Sequence, residues 1–261
     1  MKKVGIWLDK KEILKKVIEK MPNESTIFIG DQANMPYGDR SREEIISLTR
    51  DSVNFLLSKD VKIIIFGCNT ATAVAMSTIQ KEIPLQIIGV VQSGALAAAR
   101  TTETKNVAVI GTKATVDSHS YLKEIQYRDP EIKVSEFSQP KLAPLAEANP
   151  DEDTKNAVVS ESLTPLKNAD YDTLVLGCTH YPLLRDEIVA VVGQDKKIVD
   201  PADQVAQYTY NVLRRDDLFA ESTAPVKHDY YTTGEAKKFT EITRQWMNDD
   251  TIVGRHVDAE D

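Results

Sequence analysis

Residues 62–72 read Lys-Ile-Ile-Ile-Phe-Gly-Cys-Asn-Thr-Ala-Thr, and residues 172–182 read Asp-Thr-Leu-Val-Leu-Gly-Cys-Thr-His-Tyr-Pro. Each is an apolar run ending in Gly-Cys, followed by a polar pair and then a segment of helical character. Cys68 and Cys178 are the only cysteines of the chain and stand 110 residues apart. The offset points to a duplicated fold with one thiol in each half. Two thiols presented symmetrically toward one cleft can work on opposite faces of one carbon, which is the geometry that inverts a stereocentre.

Outward from these two stretches, short apolar runs alternate with longer amphipathic ones. Strands are expected at 3–8, 26–30, 62–67, 86–91, 106–111, 132–136, 172–177 and 196–199. They are Val/Ile-rich without polar alternation, as strands buried on both faces are. Helices are expected at 10–20, 41–58, 70–81, 117–126, 153–167, 183–192 and 203–214. Strands spaced by helices imply βαβ units and parallel sheets. The starts at 62 and 172, and at 86 and 196, share the same offset. The fold class is therefore α/β: two pseudo-symmetric doubly wound domains with mainly parallel sheets and an active site in the cleft between them. Residues 1–93 plus 205–261 are expected to form the first domain, and 94–204 the second. Beyond 215 the pattern changes to a loop at 216–226, a strand at 228–232 and a helix at 235–247, a piece expected to pack back on the first half.

The 261 residues are 41% hydrophobic and 28% charged, ordinary for a soluble globular protein with a sizeable core. A net charge of −8 without a block of five like charges disfavours nucleic acid as the main ligand. The N-terminal apolar run stops at Asp9, too early for a signal peptide, and no apolar stretch reaches membrane-spanning length. Two distant cysteines make no disulfide framework. The expected compartment is the cytoplasm, with no membrane partner.

In open parallel sheets, ligands bind beyond the carboxyl ends of the strands. Cys68 and Cys178 both stand there, where helices are expected to begin. Unpaired N–H groups and the dipole at such a start favour a thiolate and bind carboxylates. Asn69, Thr70, Thr72 and Thr179 add side-chain donors. A single cysteine after a buried strand is ordinarily a small core residue; the matched pair of settings argues for function. His180, two residues past Cys178, reads as a general acid or thiol activator, or else as a cap bonded to backbone. His119, His228 and His256 lack that context and read as structural or solvated, and no metal-ligand spacing occurs. The loop 30–38, with Pro36, Tyr37 and Gly38, follows a strand and is a candidate substrate loop. Thr112 and Thr115 after the strand at 106–111 either bind an anion or cap the next helix.

Taken together and in order, these pieces resemble the glutamate racemases of the cofactor-independent aspartate/glutamate racemase superfamily. The matching segments are Gly30-Asp31 with Pro36-Tyr37-Gly38, Cys68-Asn69-Thr70-Ala71-Thr72, Gly111-Thr112 with Thr115, Pro144-Leu145 with Glu147, and Gly177 through Leu183. The resemblance implies interconversion of L- and D-glutamate without a cofactor, with D-glutamate feeding peptidoglycan synthesis, and a homodimer. It implies that Cys68 and Cys178 exchange protons with the α-carbon, supported by Glu147 and His180. Asn69, Thr70, Thr112 and Thr179 would hold the α-amino and α-carboxylate groups, Pro36, Tyr37 and Gly38 the side-chain carboxylate, and Thr115 would be a further substrate-binding residue.

The family's first strand ends in Asp-Ser-Gly, whereas this one runs into Asp9-Lys10-Lys11-Glu12. The family's aspartate would fall on Leu8 or, with a one-residue shift, on Asp9, which is then the candidate for its catalytic role, and the serine has no equivalent. Gln92-Ser93-Gly94 also stands where the family often has Pro before Gly. Two readings follow: a working glutamate racemase, or a catalytically impaired relative that binds an amino acid or a regulatory partner. An aspartate or hydantoin racemase is the third, which Pro36-Tyr37-Gly38 and His180 disfavour.

Overall fold

A computed structural model describes residues 2–8, 12–221 and 225–258. Its strands are β1 (Lys3–Leu8), β2 (Thr26–Gly30), β3 (Val61–Phe66), β4 (Ile87–Gly89), β5 (Asn106–Gly111), β6 (Lys133–Ser138), β7 (Thr173–Gly177), β8 (Lys197–Val199), β9 (His228–Thr232) and β10 (Gly254–His256). Its helices are α1 (Glu12–Lys20), α2 (Arg42–Leu57), α3 (Asn69–Val74), α4 (Met76–Ile79), α5 (Val90–Thr101), α6 (Lys113–Asp117), α7 (Ser120–Arg128), α8 (Leu142–Ala148), α9 (Glu152–Ser162), α10 (Arg185–Val192), α11 (Pro201–Arg215) and α12 (Ala236–Met247).

The strands form two sheets, ordered β10-β9-β2-β1-β3-β4 and β6-β5-β7-β8. Every pairing is parallel. The order β2-β1-β3-β4 recurs as β6-β5-β7-β8, so the duplication inferred from the two Gly-Cys runs holds at the level of topology. The C-terminal piece adds β9 beside β2 and β10 beside β9, on the first sheet. α5 leads from the first sheet to the second, and α11 leads back.

Burial explains the lack of polar alternation. Ile63 and Ile65 of β3 face a core shared with α1 and α11, while Ile64 and Phe66 face another shared with α2 and α3. In the second sheet Leu174 and Leu176 face α8, α9 and α10, and Val175 faces α5 and α7. With both faces of the strand covered, apolar residues are favoured at successive positions.

Several elements differ from the sequence expectation. The expected strand at 86–91 stops at Gly89, and Val90-Val91 begin α5 instead. This helix went unpredicted because β-branched residues open it. It is rich in alanine, with Ala95 and Ala98 fully buried. The expected helix 70–81 breaks at Ala75 into α3 and α4. The one at 117–126 divides at His119, whose φ of 51° lies in the left-handed region. The one at 153–167 ends at Ser162 and continues as a 3₁₀ turn holding Pro165. α8 and β10 were not foreseen. Among the described residues, no helix is long and apolar enough to cross a membrane.

Candidate active site

One cavity of about 50 Å³ is lined from both sheets: by Pro36, Tyr37, Gly38, Cys68, Asn69 and Thr70 from the first, and by Thr112, Glu147, Cys178, Thr179 and His180 from the second. Met35, Asp39, Lys113, Pro140, Ala143 and Pro144 complete its wall. Neither cysteine is in a disulfide, and each is buried with 6% exposure.

Cys68 follows β3 and caps α3 with extended backbone (φ −91°, ψ 124°). Its carbonyl accepts from the Thr72 hydroxyl at 2.8 Å. Thr72, expected among the donors of the site, is thus turned back on the helix and away from the cavity.

Cys178 differs from the expectation that it opens an α-helix. A turn and the 3₁₀ segment Tyr181–Leu184 separate it from α10. The Tyr181 N–H bonds the Cys178 carbonyl at 3.1 Å, and the buried Tyr181 hydroxyl donates to the Gln139 carbonyl at 2.9 Å. This tighter winding leaves His180 Nδ1 3.6 Å from Cys178 Sγ. His180 Nε2 lies 2.7 Å from Glu147 Oε1. The second cysteine therefore has an imidazole–carboxylate pair behind it rather than a helix terminus.

Thr112 caps α6, its hydroxyl accepting from the Thr115 N–H at 3.3 Å, and it also lines the cavity. Thr115 does not line the cavity. It is fully buried behind Thr112, its hydroxyl 3.0 Å from that of Thr112 and 3.5 Å from that of Thr70. Its expected role in direct substrate contact is corrected accordingly, because the α6 turn points its side chain inward. Asp9 lies outside the described residues.

The substrate-loop candidate is anchored beyond its own strand. The Tyr37 hydroxyl donates to buried Asp31. Asp31 also accepts from Thr233 Oγ1 at 2.7 Å and Asn34 Nδ2 at 2.9 Å. Burial, then the Asp31 carboxylate, then Cys68 keep the Tyr37 phenol protonated far above its ordinary range. Asn69 accepts a 2.6 Å hydrogen bond from Tyr121 on α7. The sequence carried a signal for Asp31, as part of the Gly30-Asp31 motif, but none for its role as the loop's anchor, and none for Thr233 or Tyr121. Of the other histidines, His119 pairs with Glu136, His228 with Thr26 and His256 with the Gly234 carbonyl. Among the described residues, no cluster of three His, Cys, Asp or Glu side chains could hold a metal.

Fold and cleft together define a duplicated α/β protein with a paired-cysteine site. The model of the Asp/Glu/hydantoin racemase family matches residues 11–209. A glutamate racemase of Lactobacillus johnsonii is 97% identical over 249 residues, covering 95% of this chain and 94% of that protein. The crystal structure of a glutamate racemase isoform from Bacillus anthracis superposes with a TM-score of 0.92 at 34% identity, over 99% of this chain and 98% of that one. The Francisella tularensis glutamate racemase, in complex with D-glutamate, superposes with a TM-score of 0.90 at 26% identity, over 99% and 98%. The chain belongs to the Asp/Glu/hydantoin racemase family, among the glutamate racemases.

Proposed function

We propose that this protein interconverts L- and D-glutamate by two-thiol proton transfer, and that its D-glutamate supplies peptidoglycan synthesis. The observation that carries the reading is the placement of Cys68 and Cys178 on one cavity, each at the end of the corresponding strand of a repeated sheet. One sulfur acts as thiolate: the Cα–H bond breaks, an S–H bond forms, and the electron pair spreads into the α-carboxylate. The other thiol then delivers its proton to the opposite face, its S–H bond breaking as the new C–H bond forms. The two enantiomers use the sulfurs in opposite order.

A free thiol is only a few per cent ionised at neutral pH, so the site must favour thiolate. On the Cys178 side, His180 takes up and returns the proton while Glu147 holds the imidazole in place. Asn69, Thr70, Thr112 and Thr179 offer donors to the α-carboxylate, where charge develops in the transition state. The 36–38 loop receives the side-chain carboxylate. The two lobes are residues 1–93 plus 205–261 and residues 94–204, with both boundaries in or beside the crossing helices α5 and α11. The protein is a cytoplasmic homodimer in this reading, testable by light scattering.

The experiment is deuterium wash-in: incubation with each glutamate enantiomer in heavy water, followed by NMR at the α-proton. Exchange from both enantiomers is expected. A Cys178→Ser variant that racemises at the parent rate overturns the mechanism. One observation favours a second reading, that of an impaired relative: Asp9-Lys10-Lys11-Glu12 follows the first strand where the family has Asp-Ser-Gly. That reading expects exchange from one enantiomer only, with the Cys68 side disabled, or glutamate binding without exchange.

A further inference from the structure

We propose that Tyr121 is a positioning residue of this site: it fixes the Asn69 amide with its nitrogen free for the substrate and ties together the turns that carry the two cysteines. The inference rests on the reading above and deepens it.

Tyr121 comes from α7, which packs on the second sheet, yet its hydroxyl reaches Asn69 at the start of α3, on the first. The bond runs from Tyr121 Oη to Asn69 Oδ1 at 2.6 Å, between two buried side chains. With Oδ1 occupied, the amide cannot flip without losing that bond. Its nitrogen has no partner among the described residues, and Asn69 lines the cavity beside Cys68. A donor held in one orientation there suits a carboxylate.

The ring ties in the other cysteine. A Cβ built on Gly177, the residue before Cys178, would stand 3.2 Å from Tyr121 Cε2. A Cβ on Gly94 of α5 would stand 3.2 Å from Cε1. Two glycines thus make the slot that the ring fills, and one of them belongs to the Gly-Cys run itself. The phenol stays protonated, and so a donor, because burial first and then the charges of Asp200 and Cys178 raise its pKa well above normal.

The test is Tyr121→Phe, which keeps the ring in its slot and removes only the hydroxyl. KM for glutamate is expected to rise about tenfold, with kcat falling less, as for one lost hydrogen bond that orients a donor. In an Asn69→Ala background the same change is expected to have no further effect, since the residue it orients is gone. A third readout needs no substrate: the ¹⁵N side-chain amide of Asn69 should become markedly more mobile in Tyr121→Phe than in the parent. Equal losses in both backgrounds, or an Asn69 amide that stays as ordered as in the parent, overturn the proposal. If the parent fails to exchange the α-proton of glutamate, it is the racemase reading that has failed, and the amide measurement alone decides the role of Tyr121.

Discussion

The hydroxyls of Thr70 and Thr112 lie 3.0 Å apart, although Thr70 follows a strand of the first sheet and Thr112 a strand of the second. This is a seam between the two halves of the site. Gly38 leans on the same threonine, so that an added Cβ would meet Thr112 Cβ at 3.2 Å. Both contacts border the cavity that the two cysteines line.

Gly38→Ala is therefore expected to prop the loop off Thr112 and raise KM for glutamate about tenfold while changing kcat less, as a loss of uniform binding does. Thr112→Ser in that background removes the methyl that stands 3.3 Å away and should recover part of the loss. Steady-state kinetics of the three proteins checks this. An unchanged KM in Gly38→Ala would show that the loop does not close on Thr112.

Glu147→Gln keeps the shape of the His180 contact and removes its charge. Turnover is expected to fall roughly tenfold, a fraction of the factor that a positioned acid or base contributes. Wash-in from the enantiomer whose α-proton faces Cys178 should slow more than wash-in from the other. Equal slowing of both would remove Glu147 from the Cys178 relay.

Asp31 collects three donors, from Tyr37, Thr233 and Asn34. An asparagine in its place would offer a single oxygen and an NH₂ group, so Asp31→Asn removes the charge that strengthens these bonds and forces the Tyr37 hydroxyl to turn from donor to acceptor. A loss of about 1–3 kcal/mol in stability is expected, together with a higher KM as the 36–38 loop shifts. Calorimetry and kinetics on one preparation read both. A stable variant with normal KM would separate the anchor from the substrate loop.

The ion pair of Lys62 with Glu24, 2.6 Å apart, is almost completely buried, with side chains 7% and 2% exposed. The Ala220 N–H also donates to Glu24, and Lys62 donates to the Leu218 carbonyl. Lys62→Met leaves the Glu24 charge uncompensated and is expected to lower stability by roughly 3–5 kcal/mol. Chemical denaturation measures it, and the folded fraction should keep its activity.

Burial raises the pKa of Asp172, but bonds from the Thr102 hydroxyl, the Thr104 and Glu103 N–H groups and the Thr173 hydroxyl outweigh it and hold the carboxyl well below its ordinary range. A depressed folded-state pKa means stability that is present above the unfolded value of about 3.9 and lost as pH falls below it. The melting temperature should therefore drop below about pH 4. Asp172→Asn should lower it at neutral pH and flatten that acid limb. A variant with the parent's acid limb would assign the acid sensitivity elsewhere.

The sheets were legible because their strands carry their own signature: Ile63-Ile64-Ile65-Phe66 admits few other readings once both faces are buried. α5 was not, since Val90-Val91 prefer strands in isolation and only packing among small residues makes them helical. The cysteine turns, the 36–38 loop and His180 are local in sequence, and the structure brings them to one cavity. That Thr115 sits behind Thr112 depends on the direction of a single helical turn. The Tyr121–Asn69 and Thr233–Asp31 bonds span 52 and 202 residues. Contacts of that range leave no periodicity and no motif to read.

Because every strand runs the same way as its neighbours, each sheet has a tail and a tip. The tips bear Asp31, Cys68, Thr112 and Cys178; the tails bear Glu24, Lys62 and Asp172. Heritable change is thereby sorted by position along a strand: drift at the tips reaches the cavity, and at Asp31 the fold's stability as well, whereas drift at the tails bears only on how much of the molecule survives.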